Sequence, residues 1–315
     1  LLLTVALLRT AGESVPDSCL GRLRQMTQAL VWLSRPDGSL RLFNDSANGI
    51  APPADDLFAS ARAVLGAEPE RRSGAFSLPG TGFRGLVSED QKTRLVVDAG
   101  EPAPRYQPGH AHCGLLSFEL DWSGRSVIVD SGVHGYDGDP YREYVRSTRA
   151  HNTVSVGGSE QSEVWATFRV ARRARLVSAT SGTDEDGFHF SGSYRPYHDR
   201  RCLHTREIDL AGGTLAVSDR VTGSAGKRVV SYLHFHPGFA VELEGHVGQA
   251  SCADLSVQVE LRGFDRIQVV RGSTDPVQGW FCPEFGKAMP ASVIEMTIDS
   301  NDQREFGYVL RMGSA

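Results

Sequence analysis

The sequence has little lysine and no long hydrophobic run. Of its 33 basic residues only three are lysine, at positions 92, 227 and 287, and the others are arginine. Arginine favours bidentate binding of carboxylate, sulfate or phosphate, but a GC-rich genome produces the same bias. The net charge of -5 argues against a general nucleic-acid partner. No apolar run reaches the roughly 18 residues that a membrane span needs, so we expect no transmembrane helix.

The five cysteines form no CxxC pair, which argues against a disulfide framework or a thiolate zinc ribbon. The chain opens on LLLTVALLRT without an initiator methionine, a basic leader segment or a convincing signal cleavage site. Residues 142–206 hold eleven Arg against seven Asp and Glu, in a chain that is otherwise negative. This local surplus gives mild support for an anionic ligand.

The chain divides into a helical and a β-rich part. Three runs within residues 1–66 carry apolar residues at helical spacing, and we expect the second to end at RPDG and the third at Gly66. From residue 73, short alternating runs recur between Gly-, Asp- and Ser-rich turns, including TRLVVDAG, LLSFELDW, RSVIVDSG, TLAVSDRV and SVIEMTID. We therefore predict a mostly β protein with a helical N-terminal part at residues 1–70 and a large antiparallel β-sandwich at 71–315.

The densest chemistry lies between residues 106 and 153. If His110 and His112 lie in a strand, their side chains project from one face. Asp130 ends the next apolar run and His151 follows 21 residues later, so a hairpin and one crossing loop could bring them together. Two imidazoles and a carboxylate suit Zn²⁺. By spacing alone, histidines hydrogen-bonded within the sandwich are the alternative.

Several motifs in order give a resemblance to a family. GHAHCGLLSFEL, then VIVDSG, GY and RSTRAHNTV, resemble the signature of the heparinase II/III-like polysaccharide lyases, which include related alginate lyases. RPDGSLRLFNDSANGIAPP before them, and HTREIDL, SDRV, YLHFHPG and GWFCPEFG after them, resemble other segments of that family. The resemblance covers essentially the whole chain. It implies that the β-sandwich follows the last helices of an incomplete α/α toroid.

The resemblance implies cleavage of an anionic, uronate-containing polysaccharide by β-elimination. His110 then corresponds to a histidine of the active-site cleft, and His112, Asp130 and His151 to the ligands of a mainly structural Zn²⁺. Tyr136 resembles a tyrosine that contributes acid chemistry in some relatives. Tyr141 or Tyr144 could take that role, or Tyr136 could pack on the edge of the sandwich.

Other positions are assigned with alternatives. Arg146 is a candidate for carboxylate recognition and Asn152 for orienting His151, although an arginine that merely pairs with a neighbouring acid is an equal alternative. Trp280 either stacks on sugar rings or packs in the core. Gly114 stands where relatives commonly have Asp; if that Asp supports a histidine, its loss weakens the site.

The leading functional hypothesis is therefore a polysaccharide lyase. A noncatalytic carbohydrate-binding or scaffold protein of the same fold, to which Gly114 points, and a zinc hydrolase are the alternatives. The resemblance also implies a periplasmic or extracellular bacterial location and allows a homo-oligomer. We expect this chain to lack the part of the active site that the toroid supplies.

Overall fold

The computed structural model describes residues 1–314 and begins with three helices. They are α1 (Leu2–Thr10), α2 (Asp17–Leu33) and α3 (Ala54–Leu65). Apolar residues of all three helices pack into one small cluster around Val5, Leu20 and Ala61. Gly66 caps α3 at φ 79°, a left-handed conformation that glycine adopts at little cost. The predicted stop at this glycine is thus confirmed.

Strands begin at residue 74 and form three main sheets and three short hairpins. In chain order they are β1 (Gly74–Leu78), β2 (Phe83–Val87), β3 (Arg94–Asp98), β4 (Phe118–Trp122), β5 (Arg125–Ile128), β6 (Val154–Val156), β7 (Val164–Trp165), β8 (Arg169–Val170), β9 (Arg175–Asp184), β10 (Gly187–Arg195), β11 (Leu203–Ala211), β12 (Thr214–Thr222), β13 (Val229–His234), β14 (Ala240–Glu244), β15 (Val247–Cys252), β16 (Leu255–Arg262), β17 (Arg266–Arg271), β18 (Ser273–Thr274), β19 (Val277–Gln278), β20 (Trp280–Glu284), β21 (Lys287–Pro290), β22 (Ser292–Ile298) and β23 (Glu305–Ser314).

The sheets are antiparallel and share one core. A five-stranded sheet has the order β1-β2-β3-β4-β5, and an eight-stranded sheet has the order β14-β15-β16-β23-β12-β11-β10-β9. A four-stranded sheet has the order β17-β22-β13-β6. Side chains from all three, such as Phe118, Ile208 and Met296, lie in one hydrophobic cluster. This arrangement confirms the predicted mostly β fold with a helical N-terminal part.

A buried ionic network attaches the segment after α2 to the five-stranded sheet. The Glu119 carboxylate on β4 accepts hydrogen bonds from Arg35 Nη2 at 2.8 Å and Arg41 Nη1 at 3.2 Å. It also accepts from the backbone N–H of Leu42 and of Asp130, at 3.1 and 3.2 Å. One buried carboxylate therefore fixes residues 35–42 and the start of the loop that follows β5.

Two connections carry most of the predicted site residues. Residues 99–117 link β3 to β4, and residues 129–153 link β5 to β6. The second connection contains a short helix, α4 (Pro140–Arg146), whose N-terminus is capped by the Asp139 side chain, and a 3₁₀ turn at Thr148–Ala150. No helix within residues 1–314 is long and apolar enough to cross a bilayer.

Candidate functional site

His110 and His112 lie in a loop between β3 and β4. The prediction that they occupy a strand is therefore wrong. A turn in which the Ala111 N–H donates to the Pro108 carbonyl at 3.0 Å precedes His112. Proline and glycine at 108 and 109 favour such a turn over an extended strand.

The two histidines nevertheless meet at one carboxylate. Asp45 Oδ2 lies 2.8 Å from His110 Nδ1, and Asp45 Oδ1 lies 2.8 Å from His112 Nε2. The Asp45 and His112 side chains are 5% and 0% exposed, whereas the His110 side chain is 50% exposed. His110 thus presents one edge to solvent while a buried carboxylate holds the other.

Arg142 on α4 completes this group. Its guanidinium donates to both oxygens of Asp45, from Nη2 to Oδ2 at 3.0 Å and from Nη1 to Oδ1. Its Nε and Nη2 also donate to the Thr167 carbonyl, at 3.0 and 2.8 Å. Burial raises the pKa of Asp45, but hydrogen bonds from His112 and Arg142 outweigh burial and hold that pKa well below its usual range. Asp45 is therefore ionised at neutral pH.

Behind this group lies a second buried pair, Asp130 and His151. Asp130 Oδ2 is 2.7 Å from His151 Nδ1, and the ring centroids of His151 and His112 are 5.4 Å apart. The structure therefore brings the three predicted metal ligands into one region. Burial lowers the pKa of His112 to about 4. Burial also lowers the pKa of His151, but the neighbouring Asp130 charge raises it above the ordinary value.

These imidazoles each keep one ring nitrogen unpaired. His112 Nδ1 and His151 Nε2 are buried and have no hydrogen-bond partner within residues 1–314. Their other nitrogens face Asp45 and Asp130, the pattern in which a carboxylate orients a metal-binding histidine. In the same part of the chain, no set of three or more His, Cys, Asp or Glu side chains is arranged to hold a metal ion. Two donor nitrogens thus suit a metal, while Asp130 is engaged by His151.

A pocket of about 850 Å³ opens beside His110. Its lining includes Asn44, Arg84, Asp98 and Tyr106. Burial raises the pKa of Asp98 to about 7, with a further contribution from the charge of Asp130. The pocket therefore contains the imidazole of His110 together with a carboxyl group whose pKa lies near neutral pH.

Aromatic rings surround the exposed edge of His110. The Tyr136 ring centroid is 6.2 Å from that of His110, and 4.9 Å from those of Phe168 and of Phe285. Phe168 and Phe285 are 43% and 41% exposed. The Arg142 guanidinium lies 5.0 Å from the Tyr136 ring centroid, a cation–π contact. Burial raises the pKa of the Tyr136 phenol, and the Asp45 charge raises it further.

Arg146 and Asn152 make structural contacts in this chain. The Arg146 guanidinium donates to the carbonyls of Ala111, Trp165, Ala166 and Arg169, and the residue is buried. Asn152 Nδ2 donates to the carbonyls of Phe118 and Val129, and its Oδ1 accepts from the His234 N–H. Arg146 thus forms hydrogen bonds that hold loops together, and the side-chain hydrogen bonds of Asn152 go to backbone groups rather than to His151.

Trp280 and the other tyrosines lie in a separate cluster. Trp280 is half-buried, its ring packs edge-on against Tyr141 at 5.3 Å, and its Nε1 donates to the Ser273 carbonyl at 2.8 Å. The Tyr144 hydroxyl is buried, 3.0 Å from Ser131 Oγ. Neither Trp280 nor any of the three candidate tyrosines is among the residues that line the pocket beside His110. Of the three candidate tyrosines, Tyr136 lies nearest in space to that histidine's ring.

Gly114 lies against the His151 ring. A Cβ built at this glycine would be 3.2 Å from His151 Cγ and 3.3 Å from His151 Nδ1, which is tighter than ordinary contact. Any side chain at position 114 would therefore press on the imidazole that Asp130 holds. The absence of a side chain at Gly114 leaves the space that the His151 ring occupies.

Two residues of the site were not anticipated. Asp45 is 65 residues from His110 along the chain, and nothing in the NDS sequence distinguishes it from a turn aspartate. Arg142 could have been found, because Asp139 and Pro140 are a helix-start signal that places Arg142 and Arg146 one turn apart.

Comparison with known proteins identifies similar sequences and structures. Residues 70–308 match the family described as heparinase II/III-like, C-terminal. The fold is similar to that of heparan sulfate lyase HepC from Pedobacter heparinus, with 19% identity and a TM-score of 0.74 over 95% of this chain and 48% of that one. It is also similar to a heparinase III, with 13% identity and a TM-score of 0.73 over 96% of this chain and 49% of that one. No curated protein matches the sequence. The chain spans about half the length of these structures.

Proposed function

The chain belongs to the heparinase II/III-like family, as its motifs predict, and from this premise we propose that it carries the His110 side of a polysaccharide lyase site. The substrate is a polymer that contains uronic acid. The observation that carries the proposal is the half-exposed His110, held by the buried carboxylate of Asp45 at the edge of a pocket.

The reaction is a β-elimination. A base removes the proton at C5 of the uronate, the C4–O4 bond breaks, and a double bond forms between C4 and C5. An acid gives a proton to the departing O4. The pair of electrons that held the C5 proton forms the new double bond, so no oxidant or water is consumed.

His110 suits the base. Since the Asp45 carboxylate accepts from Nδ1, the neutral ring carries its proton there and keeps a lone pair on Nε2. The carboxylate also stabilises the imidazolium that forms once Nε2 takes a proton. Arg142, which neutralises Asp45, fixes this carboxylate in place.

Tyr136 suits the acid. Its raised pKa keeps the phenol protonated at neutral pH, and its ring lies beside that of His110. Together with Phe168 and Phe285 it forms an aromatic wall on which the apolar face of a sugar ring can lie. Arg84, on the pocket lining, is our candidate for contact with the uronate carboxylate, because Arg146 is occupied by backbone carbonyls.

We also propose a zinc ion that braces this site. His112 Nδ1 and His151 Nε2 would be its nitrogen donors, and Asp130 is the third ligand that the resemblance implies. Bound there, the ion would serve as a structural link between the two loops. His110 lies outside this ligand set and stays free for proton transfer.

The test is an assay for unsaturated products. The complete protein, including the toroid part of the site that the resemblance implies, is incubated with heparan sulfate, heparin and alginate, and ultraviolet absorption by the 4,5-unsaturated uronate is followed. We expect wild-type activity on at least one polymer and a loss of about 10²-fold or more in His110→Ala. His246→Ala, a histidine in the turn between β14 and β15, is the matched control and should keep full activity.

Other outcomes separate the alternatives. Tight binding of a polymer without any product would instead support a carbohydrate-binding role. The sequence feature that favours this role is Gly114, which stands where relatives commonly have Asp. Products that lack the double bond would support hydrolysis. Either result would contradict the lyase proposal.

A further inference from the structure

The HTREIDL and SDRV motifs form a buried ionic group in the eight-stranded sheet. They lie on β11 and β12, where Arg206 pairs with Asp219 across the two strands. Arg206 Nε donates to Asp219 Oδ1 and Nη2 to Asp219 Oδ2, both at 2.8 Å, and His204 Nε2 is 2.6 Å from Asp219 Oδ1. All three side chains are fully buried. Burial raises the pKa of Asp219, but Arg206 and His204 lower it to about 2, so the carboxylate is ionised.

The remaining nitrogen of Arg206 reaches out of the sheet to both loops of the candidate site. Arg206 Nη1 donates to the Leu116 carbonyl at 2.8 Å and to the Asn152 carbonyl. Leu116 lies four residues after His112, and Asn152 directly follows His151. One guanidinium nitrogen therefore holds the backbone of both loops that carry His112 and His151, two of the three proposed zinc ligands.

The backbone that Arg206 holds is unusual. Leu116 has φ 61°, a left-handed conformation that non-glycine residues seldom adopt, and it is fully buried. Such a conformation persists only where surrounding contacts fix it. The neighbouring residues are also bonded across the loops, because Thr153 Oγ1 donates to the Leu115 carbonyl at 2.7 Å and the Asn152 N–H donates to Ser117 Oγ at 3.0 Å. Arg206 adds a charged donor to this crossing.

Stability alone does not explain a charged pair at this position. A buried ion pair is often no more stabilising than apolar side chains of the same volume, because both charges lose their hydration. What an apolar pair could not do is donate to the Leu116 and Asn152 carbonyls. The hydrogen bonds from Arg206 to the Leu116 and Asn152 carbonyls therefore distinguish this ion pair from an apolar one.

We propose that Arg206 is a positioning residue for the candidate site. Fixed by Asp219, it holds the loops that carry His112 and His151 and thereby sets the position of these histidines relative to each other. The proposal that Arg206 fixes the two loops follows from its hydrogen bonds to the Leu116 and Asn152 carbonyls and does not depend on any enzymatic activity. The effect of Arg206 on turnover rests on the proposed lyase function.

The experiment compares removal of the arginine with removal of the whole ion pair. Arg206→Met leaves Asp219 buried beside His204 without its main counter-ion, so we expect Tm to fall by about 5–10 °C. In Arg206→Met/Asp219→Asn no uncompensated carboxylate is left, and Tm should return to within about 3 °C of wild type. Both variants lack the two bonds to the loops.

Hydrogen exchange measures the protection of backbone amides in the two loops and does not depend on enzymatic activity. In the double variant we expect the amides of Leu116, Asn152 and Thr153 to exchange about tenfold faster than in wild type, since two charge-assisted hydrogen bonds are missing. The imidazole nitrogen resonances of His151 should shift in NMR spectra of the same sample. Amides of β15, which is separated from β12 by β16 and β23 in the sheet order, should exchange as in wild type.

The matched control uses the neighbouring ion pair on the exposed face. Arg220 and Glu305 are about half exposed, and they lie on β12 and β23 of the same sheet. Arg220→Met/Glu305→Gln should leave Tm, exchange in both loops and polymer turnover unchanged. In Arg206→Met/Asp219→Asn, turnover should fall at least tenfold while Tm is nearly restored.

Recovery of both Tm and loop protection in the double variant would overturn the proposal, because the pair would then be only part of the core. If the double variant does not fold, Arg206→Lys decides. It keeps a charge beside Asp219 but lacks the planar fork, so both loops must lose protection. Unchanged exchange in Arg206→Lys would also refute the proposal. Inactivity of the complete wild-type protein, with its toroid part, on every polymer would contradict the lyase function and leave the exchange result valid.

Discussion

Removal of the Asp45 carboxylate should destabilise the protein strongly. In wild type this group neutralises Arg142, whose side chain is fully buried, and it accepts from two histidines. In Asp45→Ala the guanidinium keeps only the Thr167 carbonyl as a partner in this group. Breaking a buried pair by removal of one partner costs about 3–5 kcal/mol. At roughly 2–4 °C per kcal/mol, Tm should fall by about 10 °C.

A matched variant separates this effect from the loss of any surface carboxylate. Asp55 pairs with Arg71 at 3.3 Å, and both side chains are mostly exposed. Exposed pairs contribute about 0–1 kcal/mol, so Asp55→Ala should change Tm by no more than about 2 °C. Both variants are compared by thermal unfolding at neutral pH.

The double variant Asp45→Asn/Arg142→Met provides a further check. It leaves no unpaired buried charge, so Tm should recover most of the loss, while His110 loses the partner that fixes its tautomer. We expect restored stability together with reduced turnover. If the Tm of Asp45→Ala lies within about 2 °C of that of Asp55→Ala, the Asp45 carboxylate does not stabilise the folded protein through Arg142 and the two histidines.

Three other perturbations address neighbouring groups. Gly114→Ala should lower the free energy of unfolding by about 1–3 kcal/mol, because its Cβ presses on the His151 ring. Gly21→Ala in α2, which has open space around it, should raise that free energy by up to about 1 kcal/mol. Denaturant unfolding measures both, and equal effects would refute the contact. The raised pKa of Asp98 means that the folded state keeps a proton which the unfolded chain loses above about pH 4, so stability falls as pH rises from about 4 to 7. The change that Asp98→Asn makes to the free energy of unfolding, relative to wild type, should be more stabilising at pH 8 than at pH 4 by up to about 4 kcal/mol. Unfolding is measured at both pH values, and a change that does not depend on pH would contradict this. Elemental analysis should find about one zinc per chain. A chelator should lower the Tm of wild type but not that of His112→Ala. Protein that contains no metal and keeps its Tm in the presence of the chelator would exclude the ion.

The local patterns of the sequence predicted most of the elements. The runs at 93–100, 115–122, 214–221 and 292–299 each contain an observed strand, since short apolar runs between turn residues favour strands. Burial alternates along β12, whereas β3, β4 and β22 are buried at nearly every position. Helix α4 was not predicted. At seven residues it is too short for a periodic pattern, although its capping aspartate and proline are visible.

The site was predicted in part, and the missing part is non-local. Spacing and resemblance brought His110, His112, Asp130 and His151 together, and the structure places them in one region. Asp45 could not be predicted, because its role depends on how Glu119 anchors residues 35–42 to β4. The contacts of Arg146 depend likewise on where the carbonyls of two separate segments fall, the loop at Ala111 and the β7–β8 hairpin. Such contacts are set by packing rather than by sequence pattern.

The central claim is that the protein cleaves its polymer by elimination, and the most direct measurement follows solvent oxygen into the products. Cleavage is carried out in water enriched in the heavy oxygen isotope, and the new chain ends are analysed by mass spectrometry. Elimination breaks the C4–O4 bond without adding water, so we predict products that contain no solvent oxygen and end in an unsaturated uronate. Because the new reducing end exchanges its oxygen with water, products are reduced with borohydride as they form; one heavy oxygen atom per cleavage together with a saturated non-reducing end would mean hydrolysis and would contradict the account.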